Sequence, residues 1–196
     1  MGRAKVTEMV CILDRSGSMY GKEKDTIRNY NEMLRKQKRE EGEAYITTAL
    51  FSDQCEVLYS HTPIASAKEM DDSTYYVYGN TALFDGIGRV FSQIDQIIAD
   101  TGRGEEEKVL VFIITDGMEN ASRQYNGEQI HQMIEERQNR GWVILFFGTE
   151  MEAVHMAQKI GIRQNHTARY DNNEEGLKRS YQIAGDLFAC MRVGNQ

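Results

Sequence analysis

The stretch "CILDRSGSMYG" runs from apolar residues into Asp14 and then sets Ser16 and Ser18 at alternate positions around Gly17. A carboxylate followed by two hydroxyls can cap a turn, its oxygens accepting backbone N–H groups. The same oxygens can serve as ligands to a hard cation. A second apolar run, "KVLVFIITD", also ends in an aspartate, Asp116. Two carboxylates brought side by side repel, and each favours its protonated form unless a cation lies between them. Mg²⁺ takes octahedral oxygen ligands at about 2.0–2.1 Å and keeps some of its waters. Asp14 and Asp116 match its charge. Ser16 and Ser18 add oxygens without charge, and Gly17 lets the backbone bend so that both face one side. Thr81, in "YGNTALFDG", is a further hydroxyl candidate, although alone it reads as a helix N-cap. Asp116-Gly117 alone reads as a strand-to-turn ending.

These residues need a scaffold that brings 14, 81 and 116 together. "VTEMVCILD" (6–14) is a strand whose apolar second half predicts burial on both faces. A helix capped by Asp25 or Thr26 carries Ile27, Tyr30 and Leu34 on one face and stops near Gly42. "EAYITTALFS" and "QCEVLYSH" predict an antiparallel hairpin joined at 53–54. After an irregular stretch over 62–78, the spacing of Leu83, Ile87, Val90, Ile94 and Ile97 predicts a long helix beginning just past Thr81. The strand 108–116 follows, then a helix on Ile130, Met133, Ile134 and Arg137 closed by Gly141. "WVILFFGT" is a third buried strand, and a short helix through Val154, Ala157 and Ile160 ends at Gly161. A weak strand near 163–170 precedes a last helix with Leu177, Tyr181, Ala184, Leu187, Phe188 and Met191 turned inward. The order predicts one α/β domain over 1–196, a Rossmann-like three-layer sandwich. Its mostly parallel six-stranded sheet has the order 3-2-1-4-5-6 and one antiparallel edge strand, with helices on both faces. In that order the strands ending in Asp14 and Asp116 are neighbours at the switch point, where ligands of such sheets bind.

"DRSGS" resembles the D-x-S-x-S element of von Willebrand factor A domains. Thr81 is similar to their single threonine before the next long helix, and Asp116 in "FIITDG" to their strand-borne aspartate. The wording "DRSGSM … GNTAL … ITDGMENAS" is most similar to stand-alone intracellular bacterial and phage members. The resemblance covers nearly the whole chain. It implies a complete metal-ion-dependent adhesion site with Asp14, Ser16, Ser18, Thr81 and Asp116 around Mg²⁺, Mn²⁺ or Ca²⁺. One coordination position would be left for a Glu or Asp carboxylate of a partner protein. The implied function is a cation-dependent protein-interaction module or adaptor. In the family, rearrangement at the metal is linked to movement of the final helix, here about 173–191.

The rival reading is a metal-dependent hydrolase or phosphatase using a metal-bound water at the same strand ends. A D-x-D phosphatase needs a second acid where this chain has Ser16. A response-regulator receiver needs an acidic pair and a late lysine, but Leu13 precedes Asp14 and the third strand ends in "FFGT". No phosphate-binding G-x-x-x-x-G-K-[ST] is present, and catalysis is not expected. The net charge of -7 disfavours nucleic acid as a partner. No apolar run approaches 18 residues, and "MGRAKVTEMV" has neither a leader's apolar region nor the myristoylation pattern, so no membrane association is expected. Three scattered cysteines without CxxC, with Cys11 and Cys190 read as buried thiols, point to the cytoplasm. Glu119 and Asn120 read as lining the metal face or as solvated loop residues. Tyr75, Tyr76 and Tyr78 read as a partner-facing rim or as packing under a loop. The basic run from Arg28 to Arg39 reads as a solvated face. The four histidines show no zinc-like spacing.

Overall fold

Nine consecutive buried residues, Val6–Asp14, form β1 in the interior of a six-stranded sheet. A strand covered on both faces has no solvent side, which is why its sequence lacks polar alternation. The computed structural model describes residues 6–102 and 107–193, so residues 1–5 of the stretch read for a leader lie outside the described residues. After β1 come α1 (Glu23–Arg39), β2 (Ala44–Phe51), β3 (Cys55–Pro63), α2 (Leu83–Thr101) and β4 (Glu107–Thr115). They are followed by α3 (Gly127–Asn139), β5 (Val143–Gly148), α4 (Met151–Lys159), β6 (Thr167–Arg169) and α5 (Glu174–Val193). The sheet order is β3-β2-β1-β4-β5-β6. Every pair is parallel except β2 with β3, the hairpin at one edge.

Alternation along each strand sorts the core into two layers. On β4, Leu110, Phe112 and Ile114 face α1 and α5, where they meet Tyr30, Leu34, Tyr181 and Phe188. Val109, Val111 and Ile113 face the other way, toward Ile87, Phe91, Ile130, Ile134 and Ala157 of α2, α3 and α4. The expected three-layer sandwich is therefore the observed one. Among the described residues, no helix is long and apolar enough to cross a membrane.

Several local expectations change. Helix α1 begins at Glu23, with Lys22 in the cap position and neither Asp25 nor Thr26 capping it. A 3-10 turn over Gly17–Met19 and the left-handed Gly21 (φ 85°) deliver the chain into the helix three to four residues early. The helix stops at Arg39, short of Gly42, and Arg192 of α5 donates to the carbonyls of Gln37 in the last turn, of the cap Glu40 and of Gly42 beyond it. On α5, Leu187 is 36% exposed and does not point inward, and Cys190 is exposed, whereas Cys55 joins Cys11 among the buried thiols. Strand β4 ends at Thr115, so Asp116 is the first residue beyond it.

Phe112 is fully buried and meets Phe147 and Tyr181 edge-on at centroid distances of 5.7 and 5.1 Å. Phe112→Ala should cost about 3–5 kcal/mol through lost burial and a residual cavity. The expected result in urea unfolding is a lower midpoint with an unchanged slope.

Candidate metal centre

The carboxyl ends of β1 and β4 place Asp14 beside Thr115, one residue before Asp116. The Asp14 side chain is fully buried, with Oδ1 accepting from the Ser16 N–H at 2.7 Å and Oδ2 from the Thr115 hydroxyl at 2.5 Å. Its backbone carbonyl accepts the buried Tyr75 hydroxyl at 2.5 Å. The turn-capping reading of Asp14 is thus true as far as it goes. The hydroxyls do not act as caps: Ser16 heads the 3-10 turn without any side-chain cap bond. Its Oγ lies instead 2.9 Å from Ser18 Oγ and accepts from Thr81 Oγ1 at 3.1 Å. Three hydroxyls from two distant segments therefore touch one another beside a buried carboxylate.

Thr81 reaches this point because its loop is clasped from several sides. Gly17 donates to the Gly79 carbonyl, Tyr78 to the Arg15 carbonyl and Ala82 to the Ser52 carbonyl, at 2.8–2.9 Å. Gly79 has φ 72°, and a Cβ there would lie 2.0 Å from an Asp53 carboxylate oxygen, so only glycine fits. Asp53 in turn holds the Asn80 N–H and side-chain amide. Asn120 accepts from the Thr81 N–H at 2.9 Å and donates its own N–H to the Thr81 carbonyl at 3.0 Å. Glu119 accepts from the N–H groups of Phe84, Ala121 and Ser122 and from the Ser122 hydroxyl. Both residues brace the loop and the start of α2; they are neither metal-facing nor simply solvated.

The tyrosines divide. Tyr75 is core, whereas Tyr76 and Tyr78 are exposed, stack on each other at 5.7 Å, and together cover the buried Arg15 guanidinium at 5.2 and 5.0 Å from their ring centres. Arg15 also donates to Glu56 at 2.7 Å, tying the threonine loop to the tip of the edge hairpin. The basic residues of α1 are largely paired: Arg28 with Asp25 and Glu174, Arg35 with Glu69, Lys36 with Asp186.

Burial pushes the Asp14 carboxyl up to about 6, against the opposing hydrogen bonds of Ser16 and Thr115 and with a smaller push from the Asp116 charge. Asp116, with its side chain 1% exposed, pairs one oxygen with the Lys22 ammonium. Its other oxygen, Oδ1, is buried without a hydrogen-bond partner. Gly117 keeps the adjoining space open: a Cβ there would lie 3.0 Å from both Ser18 Oγ and Thr81 Oγ1 and 3.8 Å from Asp14 Oδ2. Oxygen-only donors, an orphaned buried carboxylate oxygen and a gap between hydroxyls and carboxylate fit a hard divalent cation. Lys22, Thr115 and Arg15 are the participants that sequence reasoning missed. Arg15 lies inside "DRSGS" itself, but its burial under two tyrosines has no sequence signal.

A second group of ligand-type side chains lies toward the opposite end of the same strands. Glu8, His61 and Glu107 bring three potential ligand atoms within 4.8 Å of one another. His61 Nδ1 is 2.7 Å from Glu8 Oε2, and the Thr47 hydroxyl donates to Glu8 Oε1 at 2.6 Å. His61 has φ 44° where the β2–β3 register shifts, and its ring stacks on Tyr45 at 4.0 Å. Histidine spacing could not reveal this group, because its members come from three strands.

The strand order, the single antiparallel edge and the two helix layers are the fold of von Willebrand factor type A domains. A von Willebrand factor type A protein from Catenulispora acidiphila is 14% identical with a TM-score of 0.60, over 94% of this chain and 42% of that one. The pilus adhesin SpaC of Lactobacillus rhamnosus GG, in its open conformation, is 10% identical with a TM-score of 0.71, over 97% and 31%. Manganese-loaded TRAP protein of Plasmodium vivax is 16% identical with a TM-score of 0.58, over 89% and 72%. The chain thus spans less than half the length of the first two. At these identities the likeness establishes the fold. No protein-family model and no curated protein matches the sequence.

Because the folded Asp14 carboxyl titrates near 6 and an unfolded one near 3.8, the metal-free native state binds this proton more tightly than the unfolded chain. The resulting stability is complete below the unfolded value and is lost as pH rises through about 6. Asp14→Asn keeps an acceptor for Ser16 and removes the charge. In chelator it should be more stable than wild type at neutral pH, with the difference closing as pH falls toward 4.5, roughly within the same titration window. Urea midpoints across that pH range check it.

Proposed function

We propose that this chain is a divalent-cation-dependent protein-interaction module, a single domain over 1–196. Asp14, Ser16, Ser18, Thr81 and Asp116 would hold Mg²⁺, with Mn²⁺ and Ca²⁺ also suited to the oxygen donors. The observation that carries this reading is the contact of Ser16, Ser18 and Thr81 hydroxyls beside buried Asp14 and the orphaned Asp116 Oδ1. When bound, such a cation supplies an electrophilic centre for an incoming anion. The chain's residues set how electrophilic it stays. Three of the five donors are neutral hydroxyls, so two carboxylates balance a 2+ charge and leave nothing over to quench it. A partner's Glu or Asp carboxylate is the ligand this arrangement favours. Arg15, Asp53 and Asn120 position Thr81, and Thr115 orients Asp14.

The hydrolase alternative gains no group from this geometry. Glu119, a carboxylate on the loop after Asp116, is taken up by three backbone amides and a hydroxyl, which removes it as a general base. A protein partner is further supported by the net charge of -7, which opposes binding to nucleic acid. The free thiols of Cys11, Cys55 and Cys190 support a reducing, cytoplasmic setting.

Thermal unfolding after chelation, then across a Mn²⁺ and Mg²⁺ series, tests the site. At about 100 times its dissociation constant the metal should stabilise wild type by about 2.7 kcal/mol, a rise of roughly 5–10 °C. Asp116→Ala should show no rise. Acetate or a Glu-containing peptide should add to the wild-type shift only with metal present. Flat wild-type curves at millimolar metal, with and without acetate, would sink the reading.

A further inference from the structure

Lys22 is placed against the usual electrostatics of a helix. It occupies the cap position of α1, where the helix dipole is positive and cations are disfavoured. The first-turn acids Glu23 and Asp25 follow the ordinary rule, but the Lys22 side chain turns to Asp116, a residue 94 positions away. Its backbone is held on both sides, donating to the Met19 carbonyl at 3.0 Å and accepting from Thr26 at 2.8 Å. The segment that fixes Lys22 is the one that carries Ser18, so hydroxyl and ammonium reach the site from one short stretch of chain. The Lys22 side chain is 19% exposed against 1% for Asp116, so the ammonium arrives from the solvent side.

A buried carboxylate without a counter-charge is costly, and Lys22 supplies one to Asp116. The other oxygen, Asp116 Oδ1, is left facing inward without a partner. A divalent cation drawing on the same carboxylate would stand within a few ångströms of the ammonium. Like charges at such range in a site of reduced dielectric repel strongly, and the solvent-facing lysine is the one able to leave.

We propose that Lys22 is a resident counter-cation of this site, which balances Asp116 in the metal-free protein and must swing out when a divalent ion binds. Lys22 therefore sets the metal affinity, holding it lower than the donor set alone would give. The outward ammonium then stands at the rim of the site, where it favours an acidic ligand over a neutral one. This inference rests on the five-residue metal site proposed above.

Two measurements test it. Calorimetric titration of Mn²⁺ into chelator-stripped protein compares wild type with Lys22→Met and, as a second variant, Lys22→Gln. Both variants should bind Mn²⁺ about tenfold or more tightly than wild type, since the competing charge is gone. Acylation of lysines in the wild type, read by mass spectrometry, should label Lys22 several-fold faster with saturating Mn²⁺ than with chelator. Lys36, which is paired with Asp186 on the surface of α1, should label at an unchanged rate. Equal or weaker affinity in folded variants, or unchanged Lys22 labelling in a wild type that binds Mn²⁺, would overturn the role of Lys22 and leave the metal site standing. Absence of Mn²⁺ binding in wild type and both variants would overturn the site and this inference together.

Discussion

Two parallel strands, β1 ending in Asp14 and β4 running into Asp116 one residue past its end, bring two carboxylates together, and much of the local structure compensates for that charge. Burial, with a smaller push from the Asp116 charge, raises the Asp14 carboxyl, and Asp116 has a buried oxygen without a hydrogen-bond partner. The surrounding groups act on this pair. Thr115 and the Ser16 N–H donate to Asp14, the Lys22 ammonium meets Asp116, and the Ser18 and Thr81 hydroxyls border the gap above Gly117. Such a cluster is expensive if stability is the only criterion, and that expense is what the proposed cation would offset.

The loop from Tyr75 to Ala82 is the element on which that preparation depends. It has no regular structure of its own, yet it is held at many points along its length. Tyr75 is anchored under Asp14, Tyr76 and Tyr78 enclose Arg15, Gly79 and Asn80 lie on Asp53, and Thr81 is bracketed by Asn120. Rigid support of this kind holds the Thr81 hydroxyl in one place, as the proposed coordination would need. It also explains why the residues just after Asp116 turn away from the site. Glu119 and Asn120 link the β4 loop to the start of α2, and Asp85 adds three more bonds to the N–H groups of Arg123, Gln124 and Tyr125.

The sheet carries buried titratable side chains toward both ends of the same strands. Glu8 and Glu107 lie toward the amino ends of β1 and β4, with His61 brought in from β3 at a positive φ. Between the two groups the strands are almost wholly apolar, as Val10, Ile12, Val111 and Ile113 illustrate. The fold is thus insulated in its middle and polar at its ends, which keeps the carboxylate pairs electrostatically separate.

The amino-acid sequence by itself determined the order of elements, the doubly wound sheet and the neighbouring of Asp14 and Asp116. These follow from apolar periodicity and from chain-order rules, both readable over short windows. The hydroxyl set was legible for the same reason: Ser16 and Ser18 follow a strand end, and Thr81 precedes a strongly periodic helix. The direction of individual side chains was not legible. Leu187 fits the helical period yet lies at the edge of the buried stripe, and α1 starts at Glu23 because a 3-10 turn precedes it. Tertiary structure alone decided the pairing of Lys22 with Asp116, the enclosure of Arg15, the bracing by Glu119 and Asn120, and the meeting of Glu8, His61 and Glu107. Each joins residues tens of positions apart through side-chain reach and strand register. No local pattern records such a contact, because its energy exists only once the sheet has formed.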